Sequence, residues 1–187
     1  MRVLTTERLV LRPFQREDGA FLVRLLNEPS FIANIEDKGV RTRAQAILYI
    51  ARTLQASYRD HGHGMYRVAL RDTLQPIGAC GLVQRDPDPE LDLGYAFLPA
   101  FWGQGYALEA ARAVVEVART DLGRRELFAL VTPDNGRSIA LLGRLGFAFA
   151  QNLPRVPGPG LIALYALRLV RPAGAPLTPP AAGAGSG

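Results

Sequence analysis

The chain has one cysteine, one lysine and two histidines, and it lacks any apolar run of about 18 residues. Each shortage excludes a class of protein. Cys80 has no internal partner for a disulfide, and the absence of any CxxC pair or Cys/His spacing excludes a disulfide scaffold or a zinc module. Without a membrane-length run, and without an apolar signal-peptide core near Met1, no membrane partner and a cytoplasmic location are expected. His61 and His63 supply only two ligands, with no acidic residue at ligand spacing, so no metal is expected. Lys38 is the only lysine, so 21 of the 22 basic residues are arginine, scattered rather than striped, and there is no aromatic-rich ribonucleoprotein motif. The net charge of +5 therefore does not predict a nucleic-acid partner.

What remains is an ordinary globular balance: 187 residues, 48% hydrophobic and 21% charged. A chain of this size buries roughly 70% of its extended surface, enough for one core without staples. Residues 1–171 read as one domain. The Pro/Ala/Gly-rich stretch from Pro172 to Gly187 has no charged side chain and is expected to be a disordered tail. Arg8 to Arg12 reads as a short strand ended by Pro13, and Arg16 to Asn27 as a helix stopped by Pro29. Thr42 and Gln45 form a capping box for a second helix running to about Arg59, broken by the HGHG stretch. Strands follow at Met65 to Arg71, Pro76 to Val83 and Leu91 to Leu98, joined by turn segments that predict antiparallel neighbours. The clearest helix is Ala107 to Arg119, where Glu109, Arg112, Glu116 and Arg119 make one narrow polar stripe. A strand at Glu126 to Val131, a helix at about Gly136 to Arg144, and strands at Gly146 to Ala150 and Leu161 to Val170 complete an α/β architecture.

The segment Leu93 to Ala111, LGYAFLPAFWGQGYALEAA, runs a strand through Pro99 and a Gly-X-Gly turn directly into that helix. Gly103 and Gly105 let backbone N–H groups approach a ligand, and the first helical turn adds unpaired donors and the positive end of the dipole. A pyrophosphate fits such a cradle; so does a plain turn. The rival phosphate motifs are absent: there is no GxxxxGK[ST], and no third glycine completes GxGxxG. The segment also follows antiparallel strands rather than an early parallel one, against a dinucleotide dehydrogenase.

Four pieces in order over about residues 5 to 170 resemble one family: TERLVLRP, DTLQPIGACGL, LGYAFLPAFWGQGYALEA and PDNGRSIALLGRLGF. The chain resembles the GNAT N-acetyltransferases, and within them the RimJ/RimL group that acetylates ribosomal-protein N-termini. The resemblance implies a GNAT fold, a mixed, mostly antiparallel twisted sheet of about seven strands flanked by helices. It implies acetyl-CoA as cofactor and an amine acceptor as partner, in a monomer or homodimer. In the family's Q/R-x-x-G-x-G/A signature the glycines match Gly103 and Gly105, and the first position is Ala100, a departure. Backbone donors from Gly103 through Gln104, Gly105 and Tyr106 to Ala107 would hold the pyrophosphate. Phe97 and Leu98 would form the strand edge that pairs with the pantetheine arm and polarises the thioester carbonyl. Asn135 matches the asparagine that hydrogen-bonds that arm. Where many members carry a tyrosine as acid for the leaving thiolate, this chain has Leu142; Ser138 is the replacement, or else a first-turn helix residue bonded to backbone.

Transfer from a thioester to an amine needs a neutral nucleophile. An α-amine with a pKa of about 7.7 to 8.0 is partly neutral near pH 7, whereas a lysine at roughly 10.4 asks more of a base. Glu90 and Asp92, two residues apart, would share a strand face. Asp92 is the first choice of base, acting through a water, with Glu90 the other candidate. Glu36 and Asp37 lie in the loop that lines the acceptor cleft in similar enzymes and are candidate contacts for a cationic substrate. The expected function is transfer of acetyl to a protein N-terminal α-amine. The alternatives are a small-molecule amine acceptor, or a non-catalytic acyl-CoA-binding module, suggested by Leu142.

Overall fold

The computed structural model describes residues 1–84, 90–155 and 159–170. Eight strands among them form one sheet: β1 (Leu4–Thr5), β2 (Leu9–Pro13), β3 (Met65–Leu70), β4 (Pro76–Gln84), β5 (Leu91–Phe97), β6 (Glu126–Val131), β7 (Ala148–Pro154) and β8 (Leu161–Arg168). Their order is β1-β2-β3-β4-β5-β6-β8-β7, antiparallel throughout except for β5 beside β6. The mixed, mostly antiparallel sheet agrees with expectation. The additional strand is β1, whose two residues pair with Leu11 and Val10 and are too few to show an alternation in sequence.

The helices are α1 (Gly19–Leu26), α2 (Pro29–Asn34), α3 (Arg43–Tyr49), α4 (Gln55–His61), α5 (Tyr106–Thr120) and α6 (Gly136–Leu145). The capping box of α3 is present: Gln45 N donates to Thr42 Oγ1 at 3.2 Å, and Gln45 Oε1 accepts from Thr42 N at 3.0 Å. A π-helical turn, Ile50–Leu54, joins α3 to α4. The sequence does not predict α2, because Pro29 reads as a stop. In the structure it is the first residue of a new helix, where its missing N–H costs nothing. The expected turn over residues 85–89 and the expected tail from Pro172 lie outside the described residues.

Each face of the sheet buries its own core. Leu91, Leu93 and Phe97 of β5 pack with Ala110, Ala111, Val114 and Ala118 of α5 on one face. Ala79 and Leu98 pack with Leu22 and Leu25 of α1, Ala46 of α3 and Ile50 on the other. The polar stripe on α5 is partly spent on the fold, since Glu109 ties the helix to the turn between β1 and β2.

A buried ion cluster joins β2, β3 and the start of α1. Asp18, 6% exposed, accepts from Arg12 Nη1 and Nη2 at 2.7 Å each and from Gln15 N at 2.8 Å. Arg67 Nε lies 3.2 Å from the same carboxylate without hydrogen-bond alignment. Burial lowers the Arg67 pKa, while the hydrogen bond to Asp18 raises that of Arg12. Removing one member of such a cluster strands the other charges, at a cost of about 3–5 kcal/mol. Asp18→Ala is expected to lower unfolding stability by about that amount in urea titration; a loss under about 1 kcal/mol would show that the guanidinium groups remain solvated.

Candidate active site

A cleft of about 1450 Å³ runs between the mouth of α5, the open edge of β5 and the helices α1–α4. Its origin is a break in the sheet. β5 and β6 pair at one position, Asp92 with Phe128, and beyond it the strands part. On its other edge β5 stays paired to β4 through Gly78 opposite Phe97. Leu98 N donates to Ile77 O at 2.9 Å, so Leu98 is not free to polarise a ligand carbonyl and that expectation is corrected. Backbone groups alternate in an antiparallel ladder, which turns the N–H and C=O of Phe97 to the open edge. There Trp102 Nε1 donates to Phe97 O at 2.7 Å.

The mouth of α5 is built from the two glycines. Gly103 and Gly105 have φ of +73° and +83°, a left-handed backbone that other residues adopt only with strain. Gly105 is the N-cap, so the N–H groups of Tyr106 and Ala107 in the first turn have no intrahelical acceptor. Gln104 folds back, its Nε2 donating to Ala100 O at 3.0 Å.

Sequence reasoning missed Arg8, which braces this loop from the bend just before β2. Its Nη1 donates to Gln104 O at 3.0 Å, its Nε to Glu109 Oε2 at 2.7 Å, and its guanidinium lies 4.6 Å from the centre of the Tyr106 ring. Arg8 N and Thr6 Oγ1 donate to Glu109 Oε1 at 2.8 and 2.6 Å. Burial pushes the Glu109 carboxyl up, but these hydrogen bonds together hold it below its ordinary value. The signal was present in TERLVLRP and in the α5 stripe, but nothing in the spacing joins residues about a hundred positions apart.

The faces of β5 separate the remaining candidates. Asp92 points with Gly94 and Ala96 toward α1–α4 and lines the cleft; Tyr95 points the other way, toward α6. Tyr95 Oη lies 2.6 Å from Ser138 Oγ. Asn135 caps α6, its Oδ1 accepting from Ser138 N at 3.1 Å, which leaves its Nδ2 as the group to offer a ligand. Leu142 is 1% exposed, a core residue.

Glu90 does not join this constellation. It precedes β5, is exposed, and is not among the cleft-lining residues, so it does not line the cleft beside Asp92. Glu36 lines the cleft and pairs with Lys38 Nζ at 2.6 Å. Asp37 is corrected: its carboxylate is committed to Arg41, at 2.9 and 2.6 Å, and to Gly39 N. The Arg41 hydrogen bonds, with that from Gly39, lower its pKa to about 2. His63 is 4% exposed and stacks on His61 at 5.7 Å. Burial first, then the His61 charge, lowers its pKa to about 4, so it is neutral at pH 7. Among the described residues no three His, Cys, Asp or Glu side chains converge on a metal position, and no helix is long and apolar enough to cross a membrane.

A glycine cradle at a helix N-terminus beside a parted pair of parallel strands fits an extended ligand carrying a pyrophosphate. The family model described as "Acetyltransferase (GNAT) domain" matches residues 8–148. The chain belongs to the GNAT acetyltransferases. It is an acetyl-CoA-dependent N-acetyltransferase, and the cradle and open edge are residues able to hold that cofactor. The uncharacterised N-acetyltransferase p20 of Bacillus licheniformis is 28% identical over 148 residues, covering 79% of this chain and 83% of the relative. An acetyltransferase of Agrobacterium tumefaciens is 27% identical with a TM-score of 0.75, covering 90% of this chain and 95% of that one. RimL, a ribosomal L7/L12 alpha-N-protein acetyltransferase solved with coenzyme A, shares the fold at a TM-score of 0.79 and 16% identity, covering 90% and 98%.

Gly105→Val should weaken coenzyme A binding by about a hundredfold or more, because a β-branched residue is strained at this φ and its Cβ would sit only 3.3 Å from Arg8 Nη2. Arg8→Ala should weaken it by about tenfold, the equivalent of about one lost charge-assisted hydrogen bond. Calorimetric affinities equal to wild type would reject the cradle for the first substitution and the brace for the second.

Proposed function

We propose that this GNAT enzyme acetylates the α-amine of a polypeptide N-terminus by direct attack, with no acyl-enzyme. The observation that carries this reading is the opposition of Asp92 and the Tyr95–Ser138 pair on the two faces of one strand. An amine approaches on the Asp92 face while the sulfur leaves on the Ser138 face. Bound acetyl-CoA supplies the acetyl thioester, whose C–S bond breaks as the amine N–C bond forms. Asp92 accepts the amine proton through a water. Phe97 N–H, turned to the open edge, donates to the carbonyl oxygen where charge develops. Gly103 to Ala107 hold the pyrophosphate, and Asn135 holds the pantetheine arm through its amide nitrogen. A covalent route through the cysteine is closed: Cys80 is fully buried in the core and burial raises its pKa far above the thiol range.

The cleft exceeds the roughly 300–1000 Å³ of an ordinary small-molecule pocket, which leaves room for an acceptor beside the pantetheine arm. An α-amine asks little of the carboxylate that takes its proton, since it is already partly neutral near pH 7. Its fold likeness to RimL supports the same acceptor class. A second reading, a small apolar amine, is favoured by the acceptor end of the cleft, whose floor includes Phe14, Leu22, Leu25 and Leu54.

Mass detection of acetyl transfer to peptides with free N-termini, to N-terminally blocked peptides carrying lysine, and to small amines separates these acceptors. Free N-termini should be acetylated and blocked peptides should not; transfer confined to small amines would replace the first reading with the second. Asp92→Asn should lower turnover by about a hundredfold at pH 6. The deficit should shrink as pH rises past the amine pKa of about 8, where the nucleophile is already neutral. A deficit independent of pH would reject Asp92 as the base.

A further inference from the structure

We infer that Tyr95 is a positioning residue for the leaving group, donating its phenolic hydrogen to Ser138 Oγ and so aiming the Ser138 hydroxyl hydrogen into the cleft. The inference rests on the reading of Ser138 as the residue at the leaving sulfur. A serine at the third position of a helix ordinarily turns its hydroxyl to nearby backbone. In this chain the cap at the start of α6 is made by Asn135, which takes the Ser138 amide. The hydroxyl is left to a residue of another element, Tyr95 of β5, at 2.6 Å, inside the range of a good O–H···O bond. Tyr95 Oη can also donate to Ser138 O at 3.3 Å, a longer hydrogen bond that would use the same phenolic hydrogen; the 2.6 Å bond to Oγ is the shorter of the two.

Two hydroxyls facing each other can share their hydrogens in either sense, and the surroundings choose. Both side chains are part-buried and border the cleft; Tyr95 packs against the core beneath α5 and α6, and Ser138 stands on the first turn of α6, whose neighbours Gly136 and Arg137 are exposed. Burial pushes the Tyr95 phenol up to about 12, against the opposing effect of the Ser138 hydrogen bond, so it stays protonated across the working pH range. A protonated phenol is the stronger donor of the two, and once it donates to Oγ the serine hydrogen is free to point at a ligand. When the C–S bond breaks, its electron pair stays on sulfur; Ser138 O–H donates a hydrogen bond to that sulfur without losing its proton, and the sulfur takes its proton from solvent. The phenol polarises the serine hydroxyl, and hydrogen bonds in such a chain strengthen one another. Leu142, buried in the core, explains the need: no hydroxyl can reach the sulfur from that position.

The test compares wild type, Tyr95→Phe, Ser138→Ala and the double variant in two measurements. One is the ionisation of the thiol of bound coenzyme A, followed by thiolate ultraviolet absorbance against pH, which needs no turnover. The other is kcat and KM for acetyl-CoA. Tyr95→Phe keeps the ring and its packing, and melting curves verify the fold. Ser138→Ala is expected to raise the bound-thiol pKa and to lower kcat by about tenfold or more; Tyr95→Phe should shift the pKa in the same direction and lower kcat by about fivefold with KM unchanged. In the Ser138→Ala background, Tyr95→Phe should add nothing. A normal Tyr95→Phe beside an impaired Ser138→Ala would overturn the role of Tyr95 and leave Ser138 in place. Additive losses would show that Tyr95 acts by another route and overturn it as well. A Ser138→Ala protein with wild-type thiol ionisation and kcat would remove the reading of Ser138 and this inference with it.

Discussion

The single pairing of Asp92 with Phe128, after which β5 and β6 part, is the constraint on which the rest of the structure depends. A continuous parallel ladder would close the edge of β5 and leave no place for an extended ligand. Because the strands separate, the N–H and C=O of Phe97 face open space while β4 still holds the other edge. The alternation of a strand then divides the chemistry, with Asp92 on one face and Tyr95 on the other. The separation of the proposed base from the proposed leaving-group residues follows from strand geometry.

The opening is useful only if the mouth of α5 is already in place when a ligand arrives, and this is the task of Arg8 and Glu109. One arginine just before β2 holds a loop carbonyl and a helix carboxylate together, and covers Tyr106. With Ala100 at the first position of the family signature, this chain braces its glycine loop from a residue distant in sequence instead. The Arg12–Asp18–Arg67 cluster fixes β2 and its neighbour β3 against the start of α1, so the strand that follows Arg8 is anchored at its far end as well.

Much of this was legible in the residues. The Thr42–Gln45 box, the stripe on α5, the strand runs from Met65 to Phe97 and the Gly103/Gly105 turn each carry a local pattern that the structure reproduces. What could not be read depends on contacts between distant parts of the chain. Pro29 stops one helix and starts another, and only tertiary packing distinguishes the two uses. Glu90 falls just outside the strand that would have aligned it with Asp92. Asp37 looks available in sequence and is taken by Arg41, four residues away. Leu98 loses its N–H to the ladder, while Phe97, one residue earlier, keeps the open edge. Tyr95 carries no local signal in sequence and acquires a partner only when α6 brings Ser138 against it.

The central claim is that the α5 mouth and the open edge of β5 receive coenzyme A as one continuous site. Backbone hydrogen exchange, followed by mass spectrometry with and without coenzyme A, tests it most directly. Slowed exchange is expected on addition of the coenzyme across Gly103 to Ala107 and at Phe97, with Leu98 unchanged because its N–H is already donated to Ile77 O. Unaltered exchange across Gly103 to Ala107, with protection appearing elsewhere, would contradict it.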